Sequence, residues 1–326
     1  MAKAISRKDK QKVYILSIKD GLERWSKLYQ YCEDKCLFHD KSWLGLYLNN
    51  KDLKLCFISK GGIDIAAIPL YVKKPFRMKI GGPIIRSNIQ NMKNSKLISY
   101  QKAIFEEFAE VISEKNIFYS DIWNYQLNYW YPLMWKGFKQ KTGYHYILDI
   151  KDIKKCWENF ETKIRTDIRK SKKENIKSTL SPFKTFEKLY IQINKKNNRN
   201  IKTLDFYKRM VKSVNGKVIS AYYKNQVISS ILFIEYNDCI YYLDSCNSKE
   251  GKRYGSQSLN LWNLIEISNC EKLNFLGSSI PEVESYFRGF GGHPTSYMII
   301  SKDPECLMKD VYTLFKKIYK KVLGKV

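Results

Sequence analysis

The phrase WKGFKQKTGYHYIL, from Trp135 to Leu148, returns as FRGFGGHPTSYMII from Phe287 to Ile300. The two align without a gap: aromatic, cation, Gly, Phe, a polar connector, then a run with strand composition. A short apolar strand precedes each, Ile117 to Trp123 and Leu273 to Leu276. A second pair lies upstream in the same order. LCFISKGGIDIAAIPLY (Leu55–Tyr71) and VISAYYKNQVISSILFI (Val218–Ile234) both read as hairpins, with Lys-Gly-Gly and Lys-Asn-Gln as their turns. Separated segments that recur in one order imply a duplicated domain. The boundary is expected in the charged turn Asp149–Lys155, giving an N-terminal domain of residues 1–150 and a C-terminal domain of residues 151–326.

Helices fall between these landmarks. Ile104, Phe108, Val111 and Ile112 share one helical face; Leu261, Leu264 and Ile265, after the turn Lys252-Arg253-Tyr254-Gly255, begin the counterpart. Each half then runs helix, hairpin, helix, strand, connector, strand. That order predicts an α/β (α+β) fold in which helices flank a mixed, mainly antiparallel sheet. Trp157, Phe160, Ile164 and Ile168 mark a basic helix after the boundary. Met308, Val311, Leu314, Phe315, Ile318 and Val322 predict a closing amphipathic helix that packs on the sheet or touches a membrane surface.

The 326 residues carry 58 Lys+Arg against 32 Asp+Glu, a net charge of +26, with +11 in residues 1–150 and +15 in 151–326. No basic tail is pinned to a neutral body. Such a field favours polyanions: nucleic acid, nucleotide-linked substrates or an anionic membrane surface. A Lys-, Ile- and Asn-rich residue usage that only colours the surface is the plain alternative. Hydrophobic residues at 44% and aromatics at 14% exclude a disordered chain. No apolar run approaches the ~20 residues of a membrane span, and the first residues lack the apolar core of a secretory signal. A cytoplasmic location with the eight cysteines as thiols is expected. Cys32, Cys36 and His39 have metal-like spacing, but Trp25, Leu28, Tyr29, Cys32 and Cys36 read as an apolar helix stripe, and no metal site is expected.

Four phrases carry a family resemblance. They are Arg165-Thr-Asp-Ile-Arg169-Lys-Ser-Lys-Lys173-Glu-Asn-Ile; Lys195-Lys-Asn-Asn-Arg199 running on to Phe206-Tyr207; Asn274-Phe-Leu-Gly277-Ser-Ser-Ile-Pro281-Glu-Val-Glu; and Ser285-Tyr-Phe-Arg-Gly-Phe-Gly-Gly292. In this order the chain resembles the FemAB family, peptidoglycan aminoacyltransferase-like proteins built from two tandem GNAT acyltransferase domains. The resemblance implies transfer of an activated acyl group to an amine of a peptidoglycan or other envelope-glycan precursor, nucleotide- or lipid-linked. Aminoacyl-tRNA is the slightly preferred donor. Acyl-CoA acting on an amino sugar or nucleotide sugar is the rival, and a non-catalytic basic RNA- or membrane-binding module is a third reading. Each donor is a co-substrate, so no permanently bound cofactor is expected. Peripheral contact with the inner membrane surface fits the basic helices.

Residue by residue, the family's Phe-Lys pair matches Phe287-Arg288. The resemblance implies that the Phe287 carbonyl orients the amine and that the cation at 288 stabilises the oxyanion. Here Arg replaces Lys, which keeps the charge but removes a proton carrier. An Arg lying over Phe287 and Phe290 is the ordinary alternative. Tyr242 matches a tyrosine facing the acceptor. The candidate bases are Asp244, at a strand end, and Glu284, three residues before Phe287, though both also read as plain strand-end or turn carboxylates. Lys202 and Arg199, with Arg169 behind them, are the cations expected to hold acceptor phosphates. The turn from Lys249 to Ser258 keeps Gly255 of a phosphate-cradling loop but has Gln257 where a small residue is expected. That departure tilts the donor toward tRNA.

Overall fold

The computed structural model describes residues 11–33, 35–71, 81–87, 93–115, 117–123, 127, 129–196 and 204–302. The expected closing helix, Met308 to Val322, lies outside them. The first half holds β1 (Gln11–Ser17), α1 (Ile18–Tyr29), α2 (Lys41–Gly45), β2 (Leu53–Lys60), β3 (Ile63–Tyr71), β4 (Ile84–Ile85), α3 (Asn94–Glu114), β5 (Tyr119–Trp123), α4 (Tyr131–Trp135) and β6 (Lys139–Asp149). The second holds α5 (Ile153–Asn159), α6 (Thr162–Lys173), β7 (Lys177–Ser181), α7 (Phe183–Lys196), α8 (Leu204–Ser213), β8 (Lys217–Tyr223), β9 (Gln226–Tyr236) and β10 (Cys239–Asn247). It closes with α9 (Lys249–Tyr254), α10 (Ser256–Ile267), β11 (Lys272–Asn274), α11 (Pro281–Arg288) and β12 (His293–Lys302).

Both expected hairpins form, β2–β3 and β8–β9, each antiparallel. Lys224 and Asn225 turn the second with φ of 49° and 61°, the two positive angles of a turn whose twist matches its strands. The helical faces bury as their spacing dictates: Ile104, Phe108 and Ile112 on α3, Leu261, Leu264 and Ile265 on α10. One expected stripe is shorter than its pattern. α1 buries Trp25, Leu28 and Tyr29 but stops at Tyr29, so Cys32 and Cys36 lie beyond its end.

The sheets follow an order that the local patterns do not announce. Four strands make β1-β2-β3-β4, and eight make β5-β12-β6-β11-β10-β9-β8-β7. β12 enters between β5 and β6, and β6 enters between β12 and β11. The closing strand of each half thus pairs with the penultimate strand of the other, and the two closing strands pair with each other. Their register places Tyr144 opposite Ser296. These two positions are as far apart in sequence as Trp135 and Phe287, the first residues of the repeated phrase. A local two-fold axis of the duplication therefore passes between them.

Three apolar clusters follow. One joins Phe105, Phe108 and Trp123 of the first half to Ile300 of β12. Another packs Phe160, Ile164, Trp262 and Phe290 on one face of the second-half sheet. The third is shared: Trp25, Trp43 and Leu55 meet Phe186, Leu232 and Tyr241. Polar contacts stitch the same seam, with Tyr236 Oη donating to Asp40 Oδ2 at 3.1 Å and Arg209 donating to the Leu46 carbonyl at 3.2 Å.

Candidate active site

The site begins where β10 and β11 part. They pair in parallel over three residues only, Cys239 to Tyr241 against Lys272 to Asn274. Beyond that point Phe275 N–H turns to the Tyr146 carbonyl of β6 at 2.9 Å, and Leu276 and Gly277 take φ of 56° and 69°. On the other strand a bulge falls between Tyr242 and Asp244, with Leu243 as the extra residue. A cleft of 1730 Å³ opens between the diverging strands.

Its walls are Tyr242, Asp244 and Ser245 of β10, Phe275 to Ser278, and the start of α10 with Gly255, Gln257 and Ser258. Asp167 of α6 and the 188–194 stretch of α7 complete it. Phe287 of α11 forms an apolar wedge, its ring stacked on Phe275 at 4.7 Å and edge-on to Tyr242 at 5.5 Å. Its carbonyl accepts the Phe290 N–H at 3.2 Å. Burial pushes the Tyr242 phenol well above its ordinary range, keeping it protonated, and the hydrogen bond from Gln257 opposes that only partly. Tyr207 Oη donates to Asp244 Oδ2 at 2.6 Å, and Ser245 N–H donates to Asp244 Oδ1 at 2.7 Å. Asp167, half-buried, is raised from its ordinary value by desolvation, which outweighs Lys163 and Lys170.

The cleft is not a basic trough. Lys163, Lys188, Lys249 and Lys252 line it, and so do Asp167, Asp244, Glu250 and Glu282. The two sets match in number, so the excess charge of the chain lies elsewhere.

Of the residues expected in the site, Tyr242, Asp244, Gly255 and Phe287 meet at this cleft. Arg288 and Glu284 do not line it. The repeat treats Phe287 and Arg288 as one aromatic–cation phrase, and both lie on the last turn of α11. One helical residue is a turn of about 100°, so Arg288 leaves the face that Phe287 presents. It sits away from the cleft lining, 3.4 Å from both Glu284 and Glu161, and Tyr146 donates to Glu284 there. Arg169 is placed over the Trp157 ring at 5.7 Å rather than at the cleft. Arg199 and Lys202 lie outside the described residues. Four cleft or cleft-supporting residues were not singled out by sequence: Ser245, Asp167, Tyr207 and, as more than an oddity, Gln257. Asp167 and Tyr207 stand within quoted family phrases, which is the one signal that pointed to them.

The expected phosphate loop is a helical turn. Gly251 N–H donates to Ser248 Oγ, Lys252 N–H to the Ser248 carbonyl, and Gly255 N–H to the carbonyls of Gly251 and Lys252. Gly255 itself, at φ 73°, is required: a Cβ there would stand 2.5 Å from the Asp167 Cβ. Among the described residues no group of three His, Cys, Asp or Glu is placed to hold a metal. None of the described helices is long and apolar enough to cross a membrane.

Strand order, swapped closing strands and a cleft at the divergence together define a tandem GNAT fold of the FemAB-like kind. No family model and no curated protein matches the sequence. Among solved structures, FemX is similar at a TM-score of 0.63 and 12% identity, over 90% of this chain and 98% of that one. L-PGS from Bacillus licheniformis is similar at 0.55 and 11%, covering 90% and 96%. A tandem GNAT protein from the clavulanic acid biosynthesis pathway is similar at 0.54 and 9%, covering 90% and 98%.

Proposed function

We propose that this protein is an acyltransferase that moves an activated acyl group onto an amine in the cleft between β10 and β11. The observation that carries the reading is the cleft itself: strands that diverge beside a bulge, in a tandem GNAT fold, with Asp167, Asp244, a buried tyrosine and an aromatic wedge on its walls. Aminolysis of an ester or thioester asks the protein for positioning, a proton acceptor and charge stabilisation, not for a covalent intermediate.

The carboxyls divide the work. Asp244 already accepts hydrogen bonds from Tyr207 and Ser245 N–H, which engage both of its oxygens. Asp167 is pushed up by burial, closer to the pH at which a base works best. In this reading Asp167 takes the proton of the attacking amine, while Asp244 and Tyr207 hold the acceptor side.

The aminoacyl-tRNA donor is supported by α9, whose N–H groups at Gly251, Lys252 and Gly255 are satisfied within the turn rather than turned to a pyrophosphate. FemX and L-PGS among the similar structures support an envelope precursor, glycan- or lipid-linked, as the acceptor. Acyl-CoA remains the second reading because the cleft is charge-balanced, where a tRNA end would gain from a cationic lining. Such chemistry fits work on the cytoplasmic side of the membrane.

The deciding experiment supplies the purified protein with hydroxylamine as a minimal amine and either a mixture of aminoacyl-tRNAs or acetyl-CoA. Hydroxamate formed from the tRNA mixture and not from acetyl-CoA is the expected result. Product from acetyl-CoA alone reverses the donor assignment. No product from either donor overturns the acyl-transfer reading.

A further inference from the structure

Three hydrogen bonds on one wall of the cleft fix the direction of a hydroxyl proton. Gln257 Nε2 donates to Tyr242 Oη at 2.7 Å and to Ser245 Oγ at 2.9 Å, one amide proton for each. Tyr242 Oη donates its single proton to Ser245 Oγ. A serine oxygen has two lone pairs and one proton. The Tyr242 proton already fills the line between the two oxygens and Gln257 Nε2 can only donate, so the Ser245 proton has to leave in a third direction.

That direction is toward the cleft. Ser245 lies on β10 past the point where β11 has departed, and it lines the cavity. The bulge at Leu243 makes the arrangement: in a regular strand residues 242 and 245 face opposite sides of the sheet, and the extra residue brings them to the same side. The donors behind it matter too, because a hydroxyl that accepts two hydrogen bonds is a stronger donor itself.

We infer that Ser245 is the oxyanion donor of this site, giving its hydroxyl hydrogen bond to the acyl oxygen; the role rests on the acyl-transfer reading above. Tyr242 and Gln257 are positioning residues that act through it. In the step, the amine lone pair forms the new C–N bond while the carbonyl π pair moves onto oxygen. That oxygen accepts the Ser245 O–H hydrogen bond, and the proton stays on serine. Collapse re-forms C=O and breaks the bond to the leaving oxygen or sulfur, which receives the proton taken from the amine.

Hydroxamate formation from hydroxylamine, with whichever of the two donors the wild type accepts, tests the role. Removing one oxyanion donor costs about 10²- to 10³-fold in kcat, and Ser245→Ala is expected in that range with KM nearly unchanged. Ser245→Thr keeps the hydroxyl and is expected to restore most of the rate. Gln257→Glu is the second arm: its carboxylate accepts the serine proton, draws it out of the cleft and lowers kcat as far as Ser245→Ala, with thermal stability unchanged. An active wild type with Ser245→Ala and Gln257→Glu both within threefold of it overturns the assignment. A wild type inactive with both donors instead removes the acyl-transfer reading, and this role with it.

Discussion

Gly277 passes so close to Tyr144 that a Cβ built on it would stand 1.8 Å from the Tyr144 carbonyl oxygen. The contact joins the loop that turns away from β11 to the residue on the local two-fold axis between β6 and β12. Gly277 also sits at φ 69°, where side chains are strained. Gly277→Ala is therefore expected to cost roughly 3 kcal/mol or more, as a special-backbone substitution with a backbone clash. Denaturant unfolding checks it; a loss below about 1 kcal/mol means that the loop relaxes without difficulty.

Asp167→Asn is expected to raise stability and remove activity together. A carboxyl whose folded pKa is raised binds more protons folded than unfolded, so it weakens the fold as pH climbs through the range between its ordinary and raised values. The amide carries no such charge. Its gain in thermal midpoint should be largest at neutral pH and vanish below the ordinary carboxylate range, where the wild-type group is protonated in both states. Loss of a general base accounts for about 10²- to 10⁴-fold in kcat. A thermal gain that is the same at acid and neutral pH contradicts the first half.

Arg288→Ala is expected to be mild. Its guanidinium is half-exposed and shares two long contacts with Glu161 and Glu284, an arrangement worth about 0–1 kcal/mol. Turnover within about fivefold of wild type follows from its placement away from the cleft, against roughly 10²-fold or more for loss of a residue that acts on the reacting atoms. A hundredfold loss at Arg288 would mean that α11 rotates or unwinds when substrate binds.

Residues 1–150 and 151–326, produced separately, are expected not to fold alone. Without β5 and β6, β11 loses its partner on one side and β12 loses both of its neighbours. Produced together, they should recover a soluble one-to-one complex on gel filtration. A monomeric, cooperatively folded 151–326 fragment contradicts this.

Much of this fold can be read from short phrases. The hairpins follow from β-branched runs around turn residues, and the helices from buried faces such as Ile104, Phe108 and Ile112. The duplication is visible because Trp135–Leu148 and Phe287–Ile300 keep one spacing. What local pattern lacks is the identity of a strand's partner, so the exchange of β6 and β12 cannot be seen in it. The site was legible in part for the same reason. Tyr242, Gly255 and Phe287 were reached through the resemblance and Asp244 as a strand-end carboxylate, but the same resemblance paired Arg288 with Phe287, and a helix turns the two onto different faces. Ser245 escaped because a period of two puts it opposite Tyr242, and only the bulge undoes that.

The exchanged strands also set a timetable. β5 is made long before β12, the strand that lies against it in the finished sheet. While the ribosome works through the intervening segment, the edge of β5 has no lasting neighbour from its own chain. Pairings this distant in sequence are slow to form, and an open edge is where chains of different molecules meet. The first half therefore waits on the last described strand, and the yield of native protein should depend on how well chaperones or dilution guard that interval.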